Sequence, residues 1–369
     1  MFIHTNKRTM EDNYYNNIRK KIIIDHDDIT QSFLDDYSDL ELAARYCKYP
    51  SNFTIFENLL KKNSKNIKLI NKTLIPTVRS ADAISCINAL KLLISYGANI
   101  NFKTLTYCGC YVTPLMVICS YLPRKTELEI VKFLIENGCD VNITDENGNN
   151  ALLLICKRGF HQDFEIIKLL LEHNSNVNSS AVTLSCLMHA VYDNNYDIAK
   201  LLIEKNADIN FINKDGDNIL NFFCFSVNRK DNKIIELLIE NGADVNCKNK
   251  SDEIPLMNLI KYSSSLDDVK YIKLLISKGS QVNSKDGKSR TPMMMCYRLN
   301  KYNPVEYEII KLLLDNKADI YIKNINGENI LNIVENRKGK DSDVYSLIFN
   351  YKNLYNIHLC ECDINFIYK

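Results

Sequence analysis

Two short clusters in this 369-residue chain carry side chains that ligate metals: Cys108-Gly109-Cys110 and His358-Leu359-Cys360-Glu361-Cys362. Thiolates and imidazoles hold zinc when four of them converge, usually as two pairs with at least two residues inside each pair. A C-x-C pair fits that pattern poorly, so both clusters read as ordinary thiols. The six histidines, at 4, 26, 161, 173, 189 and 358, fall in no H-E-x-x-H, nucleophile-elbow or phosphate-loop arrangement. Asp145 and Asp215 sit in D-x-x-G and D-G sequences, where a short carboxylate serves turn chemistry. The expectation is therefore no catalytic residue, no metal and no cofactor.

Composition narrows the class further. Lys and Arg number 46 against 45 Asp and Glu, for a net charge of +1, so no global field favours nucleic acid. No apolar run approaches the length of a membrane-spanning helix. The start, MFIHTNKRTMEDNYYNN, has no continuous apolar segment of the kind an export signal needs. An odd count of 13 cysteines without such a signal fits a reducing compartment, and the expected location is cytoplasmic.

The elements that position any site come from a repeat. One phrase recurs seven times: LLISYGANIN from Leu92, FLIENGCDVN from Phe133, LLLEHNSNVN from Leu169 and LLIEKNADIN from Leu201, then LLIENGADVN from Leu237, LLISKGSQVN from Leu274 and LLLDNKADIY from Leu312. Gly97, Gly138, Asn174, Asn206, Gly242, Gly279 and Lys317 occupy one place in it, at steps of 32 to 41 residues. Apolar residues spaced as in Ile234, Leu237 and Leu238 mark the end of an amphipathic helix. Gly or Asn then terminates it in the left-handed conformation. Lys317 is the misfit, and its cap is expected to be the weakest or differently shaped. A second phrase precedes each of these: TPLMVIC from Thr113, NALLLIC from Asn150, SCLMHAV from Ser185, NILNFFC from Asn218, IPLMNLI from Ile254, TPMMMCY from Thr291 and NILNIVE from Asn329. Most begin with a polar N-cap, and some add Pro at the first helical position, so each opens a helix. Cys119, Cys156 and Cys224 share one place in it and are predicted to be small buried apolar groups. A period in this range signals a stacked-repeat solenoid. The unit from Val182 to Asn210, with the shortest inter-helix turn, is predicted to be the most regular, with Leu201→Ala costing about 2–5 kcal/mol as a buried truncation.

This pattern resembles the ankyrin repeat, T-P-L-H-x-A followed by a second helix and a G-A-D-V-N loop. The resemblance implies an all-α ankyrin-repeat solenoid of about nine helix-turn-helix-loop repeats over residues 38–351. A polar lead or cap at 1–37 precedes it, and an apolar tail at 352–369 follows. Two early units are degraded: 39–44 with 55–63, and 74–80 leading into Leu92. Where the family has His in T-P-L-H, this chain has Met116, Leu153, Met188, Asn221, Met257, Met294 and Asn332, so polar tethering between repeats is expected to be weaker. Several units also carry extra polar residues between their helices, such as Ser265-Leu266-Asp267-Asp268.

The family's implied function is non-catalytic: a scaffold that binds a protein partner through the concave face of the solenoid. By the repeat register, that face takes the fifth, eighth and ninth residues of each first helix. The expected contact set is Arg45, Tyr46, Tyr121, Lys157, Arg158, Tyr192, Phe225, Lys261, Tyr262 and Arg298, a ladder of aromatic and basic side chains of the kind that supplies binding hot spots. The expected partners are proteins, with no nucleic acid and no membrane, and the chain is expected to be monomeric. Richness in Asn, Ile, Lys and Tyr without Trp reads as AT-rich coding, as in large DNA viruses, and a viral protein of this kind would work in a host's cytoplasm. An alternative implied by poxvirus-type members is a substrate adaptor for a ubiquitin ligase. The tail here has no L-P-x-E start of an F-box-like segment.

Overall fold

The computed structural model describes residues 38–79, 83–106, 109–120, 127–159, 163–179, 184–224, 233–263, 265–296, 305–340 and 342–353. The chain divides between Val182 and Thr183 into two compact units. The N-terminal unit holds four pairs of a first, inner helix and a second, outer one. These are α1 (Asp39–Arg45) with α2 (Pro50–Lys62), α3 (Ile67–Val78) with α4 (Ala83–Ser95), α5 (Pro114–Ser120) with α6 (Glu127–Glu136), and α7 (Ala151–Arg158) with α8 (Phe164–Glu172). A small antiparallel hairpin, β1 (Thr104–Leu105) and β2 (Tyr111–Val112), precedes α5 and pairs Thr104 with Val112. The C-terminal unit holds five pairs: α9 (Cys186–Tyr192) with α10 (Tyr196–Glu204), α11 (Ile219–Phe223) with α12 (Lys233–Glu240), α13 (Pro255–Lys261) with α14 (Leu266–Ser277), α15 (Pro292–Met295) with α16 (Glu306–Asp315), and α17 (Ile330–Lys338) with α18 (343–353). Nine pairs among the described residues match the repeat count read from the sequence. The second inner helix begins at Ile67, earlier than the weak signal at 74–80 suggests.

Most inner helices are short and largely buried, with α17 exposed along one side, so their start must be fixed by local chemistry. Oxygens of Ser38, Asn150, Ser185, Asn218, Thr291 and Asn329 accept the backbone N–H three residues on. Thr113 does the same for Met116. Each bond satisfies one of the orphan donors at a helix N-terminus. Cys119, Cys156 and Cys224 are buried at the seventh position of their phrases and Cys296 at the sixth of its own, and burial pushes the Cys119 and Cys296 thiols well above the usual range. Ser265 and Asp268 form a capping box that opens α14, so these extra residues extend an outer helix rather than disturb the stack.

Each outer helix turns the second leucine of its phrase inward. Leu93, Leu134, Leu170, Leu202, Leu238, Leu275 and Leu313 are at most 1% exposed. Leu201, by contrast, is only half-buried, as are Leu92, Leu169, Leu237, Leu274 and Leu312. The expected anchor of this repeat therefore moves by one residue, from Leu201 to Leu202. The two lie about 100° apart around the helix, and Ile198 and Ala199 complete the buried stripe with Leu202.

The seven outer helices that carry the recurring phrase end alike. In each, the cap residue is left-handed, at φ 58° in Asn174, 63° in Asn206 and 65° in Lys317 among the non-glycines. The next N–H closes the turn, as in Ala318 to Leu313 O at 3.0 Å. Lys317 thus keeps the common geometry despite its Cβ, and the expected difference in shape is absent. Lys317→Gly is expected to stabilise the protein by about 0.5–1 kcal/mol, because relief of the left-handed strain outweighs the extra chain entropy of glycine. A shift of the urea midpoint to higher concentration checks it.

Polar tethering between repeats is stronger than the missing histidines suggest, because asparagine takes over. In five of the seven phrases the last Asn donates its amide to the cap carbonyl of the next repeat and accepts an N–H two residues further. Asn142 bonds Asn174 O at 3.0 Å and the N–H of Asn176 at 2.7 Å. Asn246 bonds Gly279 O at 3.0 Å and the N–H of Gln281 at 2.9 Å. Asn101, Asn210 and Asn283 repeat the pattern. The capping residues Asn150 and Asn218 add a bond each to Asn176 O and Asp244 O.

Candidate functional site

In the N-terminal unit, the inner helices bring some of the expected contact residues to the surface and take one away. Lys157, near the end of α7, is exposed, and Arg45 and Tyr46, at the end of α1, are half-buried. Arg45 borders a recess of about 150 Å³ together with Arg79 of α3 and Glu127 of α6. Arg158 is the correction. Its side chain is 5% exposed, and its guanidinium donates to Glu127 at 3.0 Å, to Asp163 at 2.9 Å and to the Ile118 carbonyl at 2.9 Å. Burial raises the Asp163 carboxyl above its ordinary range, and the Arg158 charge pulls it back. Arg158 therefore stitches α5, α6, α7 and α8 together instead of facing a partner.

In the C-terminal unit, successive inner helices pack side by side. Their C-terminal ends carry Tyr192, 45% exposed, and Tyr262, 40% exposed. Tyr192 lies against Phe222 with ring centroids 6.0 Å apart. Lys261 stands over the Tyr262 ring at 5.4 Å and donates to the buried Glu253 at 3.2 Å. That carboxylate also has Arg290 at 4.0 Å, and Arg290 is paired in turn with Asp286. Lys261 is thus partly committed to the fold, whereas the two tyrosines present their rings to solvent.

The fifth inner-helix position is not the open one: Leu42, Val117, Asn258 and Met295 are buried there, and Leu154, His189 and Phe222 are half-buried. In most of these helices, which run about two turns or less, only the ends remain open; α3 has 12 residues, and α17 is exposed along one side. Tyr121, Phe225 and Arg298 lie outside the described residues, as do Cys108, the cluster from His358 to Cys362, the lead at 1–37 and the tail from 354. The structure adds residues that the helix register passes over, on the loops between repeats. Leu105 and Tyr111 are exposed on the β1–β2 hairpin, and Ile212, Tyr321 and Ile325 on the loops of the C-terminal unit. These loops are stiff fingers. Asp145, Asn213, Asn249, Asp286 and Asn324 each accept two backbone N–H bonds within their own turn. Adjacent fingers also bond directly, as in Gly287 N–H to Ser251 O and Ile325 N–H to Lys288 O. Gly216 is required for that approach, since a Cβ there would sit 2.8 Å from the backbone nitrogen of Lys250. The arrangement offers a preformed surface of aliphatic, aromatic and basic groups. Among the described residues no cluster of three or more metal-ligating side chains occurs, and no helix is long and apolar enough to cross a membrane.

Comparison with known proteins agrees with this geometry. The model for ankyrin repeats (3 copies) matches residues 115–213 and 223–324. An ankyrin repeat protein of Acanthamoeba polyphaga mimivirus is 34% identical over 112 residues, covering 30% of this chain and 18% of that protein. Two others from the same virus are 32% identical over 98 residues and 33% identical over 115 residues. They are matched over 26% and 28% of this chain and over 14% and 20% of their own length. The chain spans a fifth or less of each of these relatives. With the family model covering more than half of the sequence and nine helix pairs repeating its capped architecture, the chain belongs to the ankyrin-repeat family.

Proposed function

We propose that this chain is a non-catalytic interaction protein that holds a protein partner on the face made by its inner-helix ends and finger loops. The observation that carries this reading is the exposure of Tyr192, eighth in its phrase, and Tyr262, ninth in its own, at the C-terminal ends of two inner helices. Large aromatic side chains left wet at the ends of inner helices are suited to anchoring a partner. Lys157 and the half-buried Arg45 and Tyr46 extend the same chemistry to the N-terminal unit. Arg158 and, in part, Lys261 support the face from within. On this reading the protein acts as a monomer in the cytoplasm, that of a host if it is viral, and needs no cofactor.

The test is affinity capture with the full chain, comparing wild type with a variant carrying Lys157→Ala, Tyr192→Ala and Tyr262→Ala. All three side chains are exposed, so the variant should melt as wild type does. Loss of a protein that the wild type captures is the expected result. Retention of every captured protein by a folded variant would overturn it.

A further inference from the structure

We propose that the cleft between the fingers at 286–290 and 324–328 and the exposed side of α17 binds an acidic segment of a partner protein carrying a bulky apolar side chain. The proposal rests on the interaction reading above and names the chemistry of one contact within the C-terminal unit. The cleft has a volume of about 430 Å³, and its apolar lining is Met294, Ile325 and Ile333. That is room for one or two side chains rather than for a folded element.

Ile325 is the feature that calls for an occupant. It is 65% exposed at a finger tip. Other fingers place Glu146, Lys214, Lys250 and Gly287 at the same position, one residue after the turn-forming Asp or Asn. A β-branched apolar side chain there does nothing for solubility, and its own finger and the neighbouring one hold its backbone in place. Ile325 N–H donates to Lys288 O at 3.2 Å, and Asn324 Oδ1 accepts the N–H groups of Asn326 and Glu328. The wall is preformed, so little ordering entropy is lost when a ligand arrives.

Charge decides the ligand's sign. Lys288, Arg290 and Arg337 line the cleft against a single carboxylate, Glu328. The Glu328 side chain accepts from Asn324 Nδ2 at 3.1 Å. Asp286, at the base of the neighbouring finger, pairs with Arg290 and offsets its charge, and Lys288 and Arg337 stand exposed at the rims. A local excess of positive charge on a chain of net charge +1 favours an acidic partner and disfavours a basic one. The apolar lining is aliphatic, with no aromatic ring on which a base could stack, which argues for a peptide over single-stranded nucleic acid.

The experiment titrates the full-length protein against a fluorescent synthetic peptide of alternating Glu and Leu, reading anisotropy. A Lys/Leu peptide and a single-stranded oligothymidylate serve as the other probes. Saturable binding of the Glu/Leu peptide is expected. It should be weakened about tenfold or more by Lys288→Glu with Arg337→Glu and several-fold by Ile325→Ala, while melting temperatures stay put. The variant with Tyr192→Ala and Tyr262→Ala should bind the peptide as wild type does, so this site and the inner-helix reading can fail separately. Equal binding of the Lys/Leu peptide or the oligonucleotide would overturn the proposal. So would indifference to the charge reversals, or no binding up to about 1 mM.

Discussion

Arg158→Ala is expected to lower the unfolding free energy by about 3–5 kcal/mol, the cost of breaking a buried ion network by removing one member. The truncation takes a charged donor from two buried carboxylates at once, since Glu127 and Asp163 both bond the same guanidinium nitrogen. It also leaves the Ile118 carbonyl without its donor from Arg158. The pH dependence separates this cause from lost packing. Burial already raises the Asp163 carboxyl, with Arg158 opposing the rise. Without the arginine it rises further above its unfolded value. A carboxyl that binds its proton more tightly when folded stabilises at low pH, and that contribution is lost as pH rises through its folded value. The deficit of Arg158→Ala relative to wild type should therefore be largest at neutral pH and shrink on acidification. Urea unfolding of both proteins across that range measures it, and a deficit that does not move with pH would assign the loss to packing alone.

Arg158 also shows where sequence reading reaches its limit. Repeat count, helix order and caps are legible because they depend on residues within one phrase: Asn150 caps α7 whatever lies beyond it, and Gly242 or Asn206 ends an outer helix by its own backbone preference. Register in α7 alone assigns Arg158 to the exposed face. Its partner Glu127 lies 31 residues earlier, at the first position of α6, across segments whose lengths vary between repeats. The same device recurs where Lys338, ending α17, pairs with Glu306, the first residue of α16, 32 residues away. An acid opening one outer helix meets a base closing the next inner helix. The rule is invisible until the stacking is known and readable afterwards. Ile325 is the opposite case. Aligning the fingers on their turn-forming Asp or Asn exposes it at once, but only if loops are read with the same care as helices.

Leu202→Ala is expected to cost about 2–5 kcal/mol, and Leu201→Ala only about 1–2 kcal/mol. Both leucines sit in α10, one residue apart, and composition treats them alike. The difference lies in the rotation of the helix about its axis. Leu202 is fully buried in line with Ile198 and Ala199, so truncating it opens a cavity that the neighbouring side chains cannot fill without moving. Leu201 keeps part of its surface in water, and the shortened side chain there is replaced by solvent. The period of the sequence fixes that one of the two must face inward, since an apolar stripe recurs every three to four residues, but a double leucine satisfies it in either phase. Phase is set by contact with the inner helix α9, against which α10 packs. Thermal or urea unfolding of the two single variants reads the phase directly. Equal losses, or a larger loss at Leu201, would mean that α10 is rotated from the orientation described. Because the second leucine is buried in all seven phrases, the same ordering is expected for Leu237 against Leu238 and for Leu312 against Leu313.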